Sequence, residues 1–437
     1  MQHKFGALDL IRAGLQDLDR ARTLFDELHN DGIDGDRMRL LLATLEKACD
    51  PDIALSNLVD IIKVMQSQGK DFTNIIADEN SFVRLITVLG VSDEMGKLMR
   101  FRPELVEAAA NDACESHLYN HEQRRVHVLK SVGADPNDHT MPTASLPLAE
   151  AATALRKTYR KQLAAIMAQD ATANEPIEIQ PRISTELSDL ADAALEGALA
   201  IARHEVDGSE HVRFAIIGMG KLGARELNYV SDVDLIYVVE PADADTNGMT
   251  LNRVGTKMAT TLQRVCQSVI MGVAEPTLWQ IDGGLRPEGK DGPLVRKLES
   301  HEAYYEQWAE NWEFQALLKA RPVAGDPDLG QAYMDMTRPF VWAASKRDNF
   351  VYDCQQMRKR VEALIPAPLK DREIKLGRGG LRDVEFTVQM LQLVHGRADE
   401  TLRTSSTLES LQRLAEGGYV SRRQAKKVSW DCPFEPV

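Results

Sequence analysis

At 437 residues, with 66 acidic against 52 basic side chains and a formal charge of -14, the chain exceeds a single hydrophobic core and is read as two to four packed units. The acidic balance lacks the footprint of a nucleic-acid binder, and no uninterrupted apolar stretch is long enough to span a bilayer, so neither nucleic acid nor membrane is an expected partner. Five scattered cysteines (Cys49, Cys114, Cys266, Cys354, Cys432) without a CxxC pair, and a start that meets Asp9 before any apolar signal region, point to a reducing cytoplasm.

Ala, Leu, Glu, Arg and Gln dominate most of the sequence and favour helix. Residues 1–130 read as a helical bundle, with Leu8, Ile11 and Leu15, then Met38, Leu41, Leu42 and Leu45, recurring at three- and four-residue steps. Residues 131–207 read as linker and helical lead-in. Turn-forming residues mark a loop over 131–145 and a weakly structured stretch over 171–185, and then Leu187, Leu190, Ala194, Leu195, Ala198 and Ile201 share one helix face that ends near Asp207.

Strands begin only after that point. Phe214 to Ile217 and Asp234 to Val239 are short apolar runs rich in strand formers, and Leu278 to Asp282 alternates; a helix from about Leu251 to Ile270 lies between. Residues 208–330 are therefore a small mixed unit, and 331–437 return to helix, notably Leu381–His395 and Leu408–Ala415. Tyr304, Trp308 and Trp312, at four-residue steps, read as a core helix face. The expected class is α+β, mainly helical.

The chemistry concentrates in one segment, GMGKLGARELNYVSDVD, from Gly218 to Asp234. Asp232 and Asp234 are two apart, so on a strand their carboxylates project to one face. Such a pair stays ionised beside a divalent cation, and oxygen ligands favour magnesium, which leaves room for substrate phosphates. Gly218 and Gly220 permit close backbone approach to a phosphate, and Lys221 or Ser231 can add contacts. Asp282, at a strand end in WQIDGGLRP, can close a two-ion site.

Several ordered blocks of this sequence resemble the glutamine synthetase adenylyltransferase family, whose catalytic unit is a polymerase-beta-like nucleotidyltransferase domain set between helical bundles. GMGKLGARELNYVSDVDLI resembles the catalytic block and WQIDGGLRPEGKDGPLV the third-aspartate block. WAENWE (308–313) and LKARPVAG (318–325) follow, then IKLGRGGLRDVEF (374–386) with QMLQL (389–393), and more loosely RFRPEL (100–105) upstream. The similarity covers roughly residues 80 to 425.

The resemblance implies a magnesium-dependent nucleotidyltransferase with two ions on Asp232, Asp234 and Asp282, and with Lys221, Arg286 and Lys319 neutralising phosphoryl charge. Members carry two such domains, the first associated with removing AMP from a tyrosine of glutamine synthetase and the second with attaching it. The helical lead-in and the Glu226-Leu-Asn228 spelling point to the first. This implies orthophosphate as attacking group, ADP as product and a PII-type signal protein as possible regulator. After Lys427 the sequence departs from the family pattern, as a truncated end would.

Three rivals are weighed. Transfer of AMP from ATP to unmodified glutamine synthetase uses the same chemistry, and a non-catalytic regulatory fragment would leave the site silent. A literal GxGxxG (Gly218 to Gly223) with Glu240 downstream could mark an NAD-binding oxidoreductase, but the connection to Ser231 is short for the packed helix of that fold. Lys375, Arg378 and Arg382, around glycines at a helix start, could hold an anion or form an exposed basic turn.

Overall fold

A computed structural model of the chain describes residues 5–425 apart from 71, 73, 74, 76, 112–118, 245 and 371. Cys114, Cys432 and the departure after Lys427 fall outside the described residues. Helix dominates, and no strand precedes Val212 among the described residues. None of the described helices is long and apolar enough to cross a membrane. Two compact units are distinguished, one drawn from Met1–Asn120 and Lys157–Ile183 and the other from His121–Arg156 and Ser184–Val437. The division passes inside the helices Leu148–Ala171 and Pro176–Glu205, where composition carries no signal.

Among its described residues the first unit has helices and no strand. Asp17, Asp34, Asp50, Asp78 and Ser92 each accept a hydrogen bond from a first-turn backbone N–H, and these caps set where helices begin. Its core gathers Met38, Leu41 and Leu45 at the expected spacing, with Leu42 partly buried against them, and adds Leu58, Ile61, Phe82 and Leu85. The first helix, Ala7–Arg12, departs from it: Leu10 is the buried residue, while Leu8 and Ile11 are exposed. Six residues hold too few turns for the period to fix a face.

In the second unit, Val212–Gly218 (β1) and Val233–Pro241 (β2) pair antiparallel, Arg321–Gly325 (β5) pairs antiparallel with the other edge of β1, and Ile281–Asp282 (β3) and Val295–Arg296 (β4) both pair parallel with β2. Side-chain alternation sends Ala215, Ile217, Ile236 and Val238 into a core with Tyr305, Phe314 and Tyr333 from the helices Leu298–Gln307, Asn311–Leu317 and Pro327–Ala343. Phe214 and Tyr237 meet on the opposite face, and the helix Gly248–Gln267 packs with Gly255 against Val239 and Val295. Burial on both faces is why these strands read as near-continuous apolar runs.

Three expectations are corrected. Residues 176–185 are helical, because Pro176–Glu205 forms one helix that carries Pro181 inside it and buries Ile183, Leu187, Leu190 and Ala194; packing overrides the turn-like composition. The Tyr304, Trp308, Trp312 face is broken: a helix ends at Gln307, the next starts at Asn311, Trp308 is 73% exposed, and Tyr305 is the core aromatic. The third strand spans Ile281–Asp282 alone.

Candidate active site

The glycine turn follows β1 directly. Gly220 adopts φ +53°, and a Cβ there would lie 2.5 Å from Asp234 Oδ2, so the backbone runs against the carboxylate in a way other residues cannot copy. Met219 N–H donates to Asp234 O at 2.8 Å and closes the turn onto β2. A second close approach stands behind it: a Cβ on Gly223 would lie 1.7 Å from Lys319 O. Arg225, also at positive φ (58°), is held by an ion pair from Nη1 to Asp189 at 2.6 Å. Arg321 bonds both Asp192 oxygens (2.6 and 3.0 Å) and the carbonyls of Leu222 and Gly223, which braces the turn from below.

Two short segments bring the acids together. Asp234 and Asp282 are in-register partners of the parallel β2/β3 pair, so their side chains leave the same face, and Asp232 stands two residues before Asp234. β3 is held in place by Ile281 N–H donating to Gln267 Oε1 (2.8 Å) and Val233 N–H donating to Gln280 O (3.0 Å). Asp282 and Asp232 line a pocket of about 300 Å³ with Gln280, Ile281, Gly283, Gly284, Arg286 and Lys290, and Asp234, more buried than Asp232, is not part of its lining.

Burial and the charges of Asp232 and Asp282 push the Asp234 carboxyl up to about 6, opposed by Arg382 and Lys375. Burial, with Lys375 and Arg382 nearby, pulls the Lys221 ammonium down, while Glu385 and Asp232 raise it. Among the described residues neither Asp232 nor Asp234 has a side-chain hydrogen bond or ion pair, and Asp282 accepts only from Gly284 N–H, at 2.7 Å. Three carboxylates lacking a bonded protein cation fit a divalent ion held by oxygen, as magnesium is.

His121, Asp189 and Asp192 are the one group among the described residues whose ligand atoms all lie within 4.8 Å of one another. Arg225 and Arg321 already neutralise its two carboxylates, so an added cation would be repelled there. The aspartate trio is less tightly drawn together and has no such cations bonded to it.

The other residues singled out from sequence fall in different places. Lys221 is half-buried, with the Asn228 side-chain oxygen accepting from its Nζ at 3.2 Å. Ser231 is half-buried, precedes Asp232 in sequence and does not line the pocket. Arg286 lines the pocket but donates to the carbonyls of Gly283, Lys290 and Gly292, so it chiefly staples the loop after β3. Gly218 is enclosed in the sheet, where a Cβ would lie 2.6 Å from Val323, which leaves no approach for a phosphate.

Lys319 is 4% exposed, and Glu226 (3.0 Å), Glu385 (2.5 Å) and Thr407 (3.1 Å) take its three ammonium hydrogens, leaving none for a phosphoryl oxygen. Gln280 and Lys290 line the pocket without having been singled out; neither carries a periodic signal. The GxGxxG cannot serve a dinucleotide fold, because β1 and β2 are antiparallel and the βαβ crossover needs parallel strands.

Residues 82–336 match the family model described as Glutamate-ammonia ligase adenylyltransferase, and residues 355–432 match that described as GlnD PII-uridylyltransferase. Similar curated proteins carry the name bifunctional glutamine synthetase adenylyltransferase/adenylyl-removing enzyme. That of Bifidobacterium longum (strain DJO10A) is 75% identical over 434 residues, which is 99% of this chain and 40% of the relative. Those of Cutibacterium acnes and Streptomyces avermitilis are 43% and 42% identical, over 98% and 96% of this chain and 43% and 40% of the relatives. The chain thus spans about 40% of the length of such relatives.

Proposed function

The chain belongs to the glutamate-ammonia ligase adenylyltransferase family, and from that premise we propose that it carries one nucleotidyltransferase site, at Asp232, Asp234 and Asp282, that removes AMP from a tyrosine of glutamine synthetase by phosphorolysis. The observation that carries this reading is the in-register pairing of Asp234 with Asp282, next to Asp232 at the head of β2, three acids without a bonded cation. The helical residues ahead of β1 and the Glu226-Leu-Asn228 spelling support the removing direction. Glutamine synthetase, orthophosphate and ADP are the partners of that reaction in the cytoplasm, ATP serves the opposite transfer, and a PII-type protein is the regulator.

Asp232, Asp234 and Asp282 would hold two magnesium ions. Bound there, the ions supply charge neutralisation and orientation of phosphoryl oxygens. The protein's own contribution is placement. Gly220 lets the turn backbone lie against Asp234, and Lys221, with its lowered affinity for a proton, still offers a cation beside Asp232. Arg286 fixes the loop carrying Gly283 and Gly284, so Asp282 faces the pocket in a set orientation. Positive charge placed before the reaction begins costs no reorganisation as phosphoryl charge builds.

Incubating the chain with AMP-modified glutamine synthetase, magnesium and phosphate should release ADP in step with loss of the AMP label. AMP transfer from ATP to the unmodified enzyme would reverse the assigned direction, and neither activity would leave the fragment regulatory.

A further inference from the structure

Arg382, at the start of the helix Leu381–His395, is tied to the catalytic segment by a chain of alternating charges. Its Nη1 donates to Glu385 at 2.7 Å; Glu385 accepts from Lys319 Nζ at 2.5 Å; Lys319 donates onward to Glu226 at 3.0 Å, three residues past Gly223. Thr407 completes the far end, donating to Glu226 through its backbone N–H (2.5 Å) and hydroxyl (3.1 Å). Two carboxylates balance two cations, so this chain needs nothing from the three aspartates. Buried pairs of this kind add little net stability, and their attested use is to fix one arrangement.

Arg382 is not used up by it. Its side chain is 33% exposed, and one of its guanidinium nitrogens is engaged by Glu385 while Phe386 supports the group from 5.9 Å. Lys375 lies alongside, its carbonyl accepting from Arg382 N–H at 3.0 Å, and its ammonium has no partner among the described residues. Both cations act on Asp234 and on Lys221, so they stand near the acids without bonding to them.

We propose that Arg382 and Lys375 form the arm that seats the incoming orthophosphate, with Glu385, Lys319 and Glu226 as positioning residues that hold the arm at a fixed reach from the aspartates. The proposal rests on the phosphorolytic reading above. A phosphate dianion facing three carboxylates needs cations on its other side, and a guanidinium offers paired donors that match its oxygens. From that seat one phosphate oxygen bonds to the phosphorus of AMP, the bond from phosphorus to the tyrosyl oxygen breaks, and the proton of hydrogen phosphate ends on the tyrosine, leaving ADP.

The test compares the full chain with Arg382→Gln and with Lys375→Ala, the latter at an exposed position that the fold does not need. Labelled orthophosphate binding in the presence of magnesium is measured by equilibrium dialysis, alongside ADP release at varied phosphate. Loss of a charge-assisted contact should weaken phosphate binding, and raise the KM for phosphate, by about tenfold or more for Arg382→Gln and less for Lys375→Ala. The KM for modified glutamine synthetase should stay unchanged. Equal phosphate binding in all three proteins, or no saturable binding by the unaltered chain, overturns the arm whether or not turnover occurs. Phosphate binding that depends on Arg382, without ADP release, supports the arm and sinks the phosphorolytic reading instead.

Discussion

Replacing Asp234 by asparagine should abolish activity and yet make the chain more stable in a chelator at neutral or alkaline pH. The carboxyl is raised from 3.8 to about 6 in the folded chain, chiefly by burial and then by Asp232 and Asp282. As pH rises, the unfolded state therefore releases this proton first, and stability present below about pH 4 is lost as pH passes through 6. A shift of roughly two units corresponds to about 3 kcal/mol, an upper bound because solvent reaches part of the group. At pH 8 without divalent cation, Asp234→Asn should gain about 1–3 kcal/mol, or several degrees in Tm at roughly 2–4 °C per kcal/mol. At pH 4 the two proteins should converge. Magnesium should raise the Tm of the parent and leave the variant nearly unmoved, since binding to the folded state is what stabilises. Scanning calorimetry at the two pH values, with and without magnesium, reads all four cases. A variant less stable than its parent at pH 8 in chelator refutes the cost of the buried Asp234 charge, and one equally stabilised by magnesium refutes Asp234 as an ion ligand.

The same titration predicts that magnesium affinity falls about tenfold per pH unit below 6, because the ion must displace one proton; isothermal titration at pH 5 and 7 checks this. Asp282→Asn should remove ADP release while circular dichroism stays unchanged, and retained turnover would exclude it from the site. Gly220→Ala should lower turnover by about a hundredfold through displacement of Asp234, at a folding cost of about 1 kcal/mol or more for the left-handed backbone; wild-type kinetics would show that the turn can shift. Lys319→Met leaves the buried Glu226 carboxylate without a cation, while Glu385 keeps Arg382, and should destabilise the second unit by about 3–5 kcal/mol in denaturant titrations. A loss below about 1 kcal/mol would mean that the buried charge chain does not hold the fold.

The parts of the fold legible in the sequence are those encoded locally. β1 and β2 announce themselves as short apolar runs, and the position of Asp234 at the head of β2 is legible from the run that follows it. The helix Leu381–His395 was equally plain, with its termini as expected. β3 is shorter than the sequence implies, since Leu278 to Asp282 alternates like a strand but the ladder with β2 pairs Ile281 and Asp282 alone. Lys319 differs for the opposite reason. The family resemblance implies a phosphate contact, but its partners Glu226 and Glu385 lie 93 and 66 residues away, and no local pattern reports a buried pair across such distances. Lys375 and Arg382 could be named as basic residues, but their nearness to Asp234 depends on the same long-range packing.

The three acids are anchored very unequally. Asp234 sits at the head of a strand joined to β1 through seven paired positions, whereas Asp282 is attached to β2 through two. Releasing β3 would forfeit two pairings and leave the central hairpin whole, so amides at Ile281 and Asp282 should trade with deuterium long before those of Ile216 or Tyr237. One wall of the candidate site is thus built into the hairpin, and the facing one hangs on two backbone pairings.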